Sequence, residues 1–377
     1  MTRIALICHG FPEGGVSRIN LSIAGRVSKA NPGMEFVLFA DHPVENPPCP
    51  FPVYAPKNYL SAVKELGIDI LVECSRLEKN TQAIHNSGVK VIYADHGQPF
   101  GEQYAILDRR MGGRRRHPVK RLLWYLFLRR QFLETDKALR LAIQRTARAY
   151  QWSDAYVCLC EAYVQEIQAA LNLPENHHLV SIENPQEPVQ NPSLEKEKRI
   201  LYCGRLSDYD KKVDRLLRIW AKVQEELPDY SLDIAGDGYE RTRLEEYAQE
   251  LHLKRIHFHG NQTDLEAFYR KASVLCLTSE TEGWGLVLTE AQAHGVIPVA
   301  FNCSAGVAEV IGADAGILVP PRDEEAFAQA LVNLCQRNDL PQMRLRCIER
   351  AKRYTLERNT QQWEKLFRDL SEAPASK

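Results

Sequence analysis

The stretch Arg3–Ala30, RIALICHGFPEGGVSRINLSIAGRVSKA, decides the fold. Ile4–Cys8 is a short apolar run of the kind that forms a buried strand, and His9–Val16 (HGFPEGGV) turns the chain with three glycines. Gly15–Ala30 then places Ile19, Ile23 and Val27 at i, i+4 and i+8, one apolar face of a helix. A strand that passes through a glycine loop into a helix is the opening unit of a parallel α/β sheet.

The same alternation recurs along the chain. Apolar runs rich in β-branched residues stand at Glu35–Ala40, Asp69–Cys74, Lys90–Asp95 and Ala155–Cys160, then at Arg199–Gly204, Ser231–Gly236, Arg255–Gly260, Ser273–Ser279 and Ile297–Asn302, with helical stretches between them. Parallel sheets covered on both faces are expected. At 377 residues the chain exceeds what one hydrophobic core supports, so two domains are expected. Asn184–Lys198, with three prolines and a charge run, reads as the linker between residues 1–183 and 199–358. Trp363, Phe367 and Leu370 mark an amphipathic helix over about 359–377 that has something to pack on, the first domain included.

Composition bounds the function classes. With 44% hydrophobic residues, 26% charged residues and a net charge of -1, the chain is neither disordered nor collagen-like. Ten cysteines, several inside apolar runs, read as small buried hydrophobes in a reducing compartment, and the pair Cys158 and Cys160 is given no metal or redox role. The apolar run at Ile4–Cys8 is too short for a secretion signal, and Leu122–Leu128 (LLWYLFL) is far too short to cross a bilayer. A cytoplasmic location is expected.

Ligands of open parallel sheets bind where strands end and loops enter helices. The unusual residues stand there. Gly14 and Gly15 follow the first strand, and bare amides at a helix start can face a phosphate. Gly236-Asp237-Gly238 lacks the third glycine of a dinucleotide fingerprint, which disfavours NAD and FAD. Arg205 and Lys211, six residues apart in GRLSDYDKKV, can converge on one dianionic group, the requirement of a departing diphosphate and a substitute for a metal ion. The Asp208-Tyr209-Asp210 triplet matches a D-x-D metal motif in form, but Lys211 and Lys212 beside it argue against a bound cation. Glu282 and Glu290, in EGWGLVLTE, lie about 12 Å apart if all eight positions are helical, too far for a glycosidase pair and suited to the two ends of a nucleotide-sugar.

Taken in order, His9–Arg18 (HGFPEGGVSR), Asp95–Pro99 (DHGQP), Glu183-Asn184-Pro185, Gly204-Arg205-Leu206, Gly236-Asp237-Gly238 and Glu282–Ala291 (EGWGLVLTEA) resemble the landmarks of family 4 retaining glycosyltransferases with the GT-B fold. The resemblance implies two Rossmann-like domains facing across a cleft. It implies that Arg205 and Lys211 hold the diphosphate, Glu290 the ribose, and Glu282 with Gly283, Trp284, Gly285 and Leu286 the donor sugar, which His96 also touches. It implies transfer with retention and no cofactor, metal included. Two positions depart from the pattern: Lys212 stands where a glycine is usual, and Trp284 where phenylalanine is usual.

Residues 101–150 hold 13 Arg and Lys against 4 Asp and Glu, so the remainder of the chain carries -10. Arg114, Arg115, Arg116, Lys120 and Arg121 precede LLWYLFL, the pattern of a helix that docks on the inner face of an anionic membrane beside a lipid-linked acceptor. No nucleic-acid module accompanies the charge. The expected function is transfer of a hexose from a nucleotide-sugar, UDP first, to a glycan or lipid-linked acceptor in bacterial envelope polysaccharide or lipopolysaccharide assembly. The alternatives are a nucleotide-sugar epimerase of the same fold and a non-catalytic lipid-associated protein.

Overall fold

The computed structural model describes residues 1–11, 15–101 and 136–373, which form two compact units, Met1–Asn184 with Leu356–Lys377, and Pro185–Thr355. Each is built on one parallel sheet. In the first, β1 (Thr2–Cys8), β2 (Met34–Ala40), β3 (Val53–Tyr54), β4 (Ile70–Cys74), β5 (Lys90–Ala94), β6 (Ala155–Cys158) and β7 (Leu179–Ser181) lie in the order β3-β2-β1-β4-β5-β6-β7. In the second, β8 (Arg199–Cys203), β9 (Ser231–Ala235), β10 (Ile256–Gly260), β11 (Val274–Leu277), β12 (Ile297–Phe301) and β13 (Ile317–Val319) lie in the order β10-β9-β8-β11-β12-β13.

Both orders reverse once. In the first sheet the chain proceeds one way from β1 and the other way from β4, and β1 pairs directly with β4 (Ile4 with Ile70, Leu6 with Val72). The second sheet reverses between β8 and β11, where Ile200 pairs with Val274. Loops leaving the carboxyl ends of two such neighbours diverge to opposite faces and leave a crevice, the usual ligand position in this class of fold. Geometry therefore directs attention to residues after β1 and β4 in one unit and after β8 and β11 in the other.

The helix Gly15–Ala30 buries Ile19, Ile23 and Val27 on its sheet. The C-terminal helix, Leu356–Glu372, begins before the expected Asn359 and returns to the first unit: the Phe367 ring meets Phe36 edge-on at 5.8 Å, and Arg26 donates to Thr360 and Asn359 at 2.9 and 3.0 Å. The proline-rich stretch 184–198 is largely held by the second unit, where Lys196 Nζ donates to the carbonyls of Tyr269 and Arg270 at 2.7 and 3.1 Å. Three strands escaped the sequence reading, β3, β7 and β13, and all three are sheet edges of two or three residues. So short a run carries no period; only the neighbouring strand defines it.

Candidate active site

The loop from β8 into the helix Val213–Val223 holds the two expected cations. Arg205 Nη2 pairs with Asp210 Oδ2 at 2.7 Å, and the Ser207 hydroxyl closes the other oxygen of Asp210. Burial opposes the charge on Asp210, but Ser207 and Arg205 prevail and hold its carboxyl below the ordinary range. Lys211 Nζ donates to Glu282 Oε2 at 2.6 Å, joining the loop after β8 to the loop after β11 across the switch point. Desolvation works against the ammonium, yet Glu282 more than offsets it and raises the pKa of Lys211, so the site keeps its positive charge at neutral pH. The aspartates of the D-x-D triplet are both occupied, since the Tyr239 hydroxyl donates to Asp208 at 2.7 Å.

Lys212, which replaces the usual glycine, caps the helix at φ +51°. A left-handed turn is thus made by a residue that adopts it at a cost. Its amide donates to Ser207 O and its carbonyl accepts from Thr278 Oγ1, both at 3.1–3.2 Å, which holds the turn shut.

The helix after β11 begins only at Leu286, with Gly285 as its cap at φ +76°. Glu282 lies ahead of it, so the 12 Å separation computed for a continuous helix does not apply; the helical rise from Leu286 to Glu290 is about 6 Å. What separates the two carboxylates is their surroundings. Glu282 is tied to Lys211 and Ser279, whereas Glu290 Oε2 accepts from the Tyr269 hydroxyl at 2.8 Å. Trp284 is 2% exposed and meets Tyr354 edge-on at 5.1 Å, so its indole packs inside the unit rather than on the open side of the loop.

Gly236 and Gly238 serve the backbone. A Cβ at Gly236 would stand 1.9 Å from Gly204 O, and one at Gly238 2.3 Å from Leu206 O. The two glycines let the loop after β9 press against the loop that carries Arg205, which Leu206 N fastens to Asp237 O at 2.8 Å. Asp237 itself is exposed and accepts from the Gly238 amide and from Arg241.

One component was not legible beforehand. Glu280 is bracketed by Arg215 and Arg322, and its amide donates to Asp210 O at 2.7 Å. The three residues are far apart in sequence, and no spacing rule links them.

In the first unit, His96 follows β5, and its amide donates to Ser75 Oγ at 2.8 Å. Both ring nitrogens are shielded from solvent, as is Gln98 Oε1, and the Asn184 side chain reaches the ring. Burial drives the pKa of His96 down to about 4, with Asn184 opposing, so the ring is neutral at physiological pH. At this unit's switch point His9 is held between Asp41 Oδ1 at 2.8 Å and Glu78 Oε1 at 3.2 Å. Gly15 opens the helix Gly15–Ala30, whereas Gly14 lies outside the described residues. The basic residues Arg114, Arg115, Arg116, Lys120 and Arg121 and the LLWYLFL run do so too. Among the described residues, no helix is long and apolar enough to cross a membrane.

Residues 183–354 match the family of glycosyl transferases group 1. That stretch coincides almost wholly with the second unit, Pro185–Thr355. The chain is 33% identical over 164 residues to the amylovoran biosynthesis glycosyltransferase AmsD of Erwinia amylovora, covering 43% of this chain and 44% of that protein. It spans less than half the length of the first curated relatives it matches. Its whole fold is similar to the lipopolysaccharide outer core galactosyltransferase WaaB in apo form (TM-score 0.65, 17% identity, covering 97% of this chain and 100% of that one). It is also similar to Anabaena HepE in complex with UDP and glucose (TM-score 0.69, 16% identity, covering 98% and 100%). The fold is GT-B.

Proposed function

We propose that the chain is a family 4 retaining glycosyltransferase that moves a hexose from a UDP-sugar to a glycan or lipid-linked acceptor in bacterial envelope polysaccharide or lipopolysaccharide assembly. The observation that carries this reading is the Lys211–Glu282 pair across the switch point of the second unit, with Arg205 on the same loop and Glu290 on the helix that follows. Each cation is oriented by a carboxylate, so a diphosphate would meet charges that are already in place. Fixed cations cost no reorganisation when negative charge develops on the leaving oxygen.

The bond between sugar C1 and the phosphate oxygen breaks, its electron pair passing to the diphosphate beside Arg205 and Lys211. The acceptor oxygen bonds C1 on the same face, and its proton goes to the departing phosphate oxygen. Cations in this position do the work a metal ion would otherwise do. Glu282 accepts from the sugar hydroxyls, and Glu290 accepts from the ribose. His96 and Gln98, with polar atoms shielded from solvent, suit bonds to sugar hydroxyls. The names of the relatives support the envelope role and the UDP bound to HepE supports the donor.

Thermal melts with UDP, GDP and ADP sugars test the donor, because a ligand of the native state raises the melting point by mass action. UDP-sugars are expected to give the largest rise, and Arg205→Ala and Lys211→Ala to abolish it and cut turnover 100-fold or more, about 2.7 kcal/mol of transition-state stabilisation. A product with inverted anomeric configuration, or full turnover in Arg205→Ala, refutes the mechanism.

A further inference from the structure

Glu290 does not stand alone on its helix. Tyr269, on the helix Glu266–Lys271, donates its hydroxyl to Glu290 Oε2 at 2.8 Å. Tyr269 is 2% exposed, and its ring stacks on His294, with centroids 5.2 Å apart and planes at 25°. His294 Nδ1 in turn bonds the backbone carbonyl of Glu290 at 2.8 Å. The Cys203 thiol, last residue of β8 and two residues before Arg205, lies against the same tyrosine hydroxyl. One buried phenol therefore ties the root of the loop bearing Arg205 to the carboxylate expected at the other end of the nucleotide.

We propose that Tyr269 is a positioning residue for donor recognition: its hydroxyl fixes the Glu290 carboxylate in the orientation that accepts the ribose hydroxyls, with His294 holding both the tyrosine ring and the Glu290 backbone. This rests on the reading that Glu290 binds the ribose. A free glutamate side chain samples many rotamers and loses that freedom on binding; one locked by a buried phenol has lost it before the ligand arrives. Burial of the ring pushes the Tyr269 phenol far above its usual pKa, so the donor proton is present throughout the working pH range.

Tyr269→Phe removes only the hydroxyl and keeps the stacked ring. Calorimetric titration of the full chain with UDP is expected to show about 5- to 20-fold weaker binding, with turnover at saturating donor little changed. With 2′,3′-dideoxy-UDP, which lacks the ribose hydroxyls, wild type and Tyr269→Phe are expected to bind alike. A change confined to packing weakens both ligands equally, and that result, or unchanged UDP affinity in Tyr269→Phe, overturns the proposal. Glu290→Gln separates the two levels: if it leaves UDP binding intact, the ribose reading fails; if it weakens UDP while Tyr269→Phe does not, only the positioning role fails. A wild-type chain that does not bind UDP removes the donor reading first and this inference with it.

Discussion

His9 shows how one residue is held by its surroundings. Its ring lies between two carboxylates, Glu78 and Asp41, and the second oxygen of Asp41 accepts from the Gly10 amide at 3.0 Å, so the acid clasps the exit of β1 by side chain and backbone together. Glu78 first, then Asp41, raise the imidazole pKa against burial, with Arg76 and Glu73 also nearby. A raised folded pKa means that the ion pairs stabilise fully below the unfolded value of about 6.5 and fade as pH rises through the folded value. In urea titrations the stability gap between wild type and His9→Gln is expected to be about 1–2 kcal/mol near pH 6 and to shrink above it. Glu73, pushed up to about 7 by burial with His9 among the groups that oppose it, loses its contribution as pH rises from its unfolded value toward that one, a window below that of the imidazole. A gap that widens with pH contradicts the clasp.

At the scale of elements, the C-terminal helix completes the first unit. Trp363 and Phe367 are buried on the first unit, and Asn359 Nδ2 bonds Glu183 O at 2.8 Å, fastening the helix where the chain leaves that unit. Phe367→Ala removes a fully buried ring and is expected to cost about 3–5 kcal/mol, read as a lower midpoint in chemical denaturation. The loop after β9 has a different logic: its glycines allow a backbone approach that no side chain permits, so that loop shapes the site through its main chain.

At the scale of the whole molecule, the second unit is one continuous stretch, Pro185–Thr355, and the first is completed by a helix from the far end of the chain. A fragment of residues 185–355 is expected to fold alone and to bind UDP, with a cooperative melt that UDP raises. A fragment of residues 1–184 is expected to stay partly unfolded until a peptide of residues 356–373 is added, detected by circular dichroism. Independent folding of residues 1–184 contradicts the role given to the helix.

Much of this was legible in the sequence, for identifiable reasons. Central strands buried on both faces carry long apolar runs, and the helix Gly15–Ala30 carries a 3.6-residue stripe, so the alternation of a parallel fold can be read from residues alone. The residues Arg205, Lys211, Glu282 and Glu290 were nameable because strand ends concentrate chemistry in such sheets. Edge strands β3, β7 and β13, the clamp on Glu280 and the Tyr269–His294 support of Glu290 were not, since each is made by partners brought together only by folding. Local periodicity and strand-end chemistry are properties of neighbours in the chain, and the sequence determines them by itself. Which carboxylate holds which cation, and which phenol bonds Glu290, is a matter of distance in space that the tertiary structure alone decided.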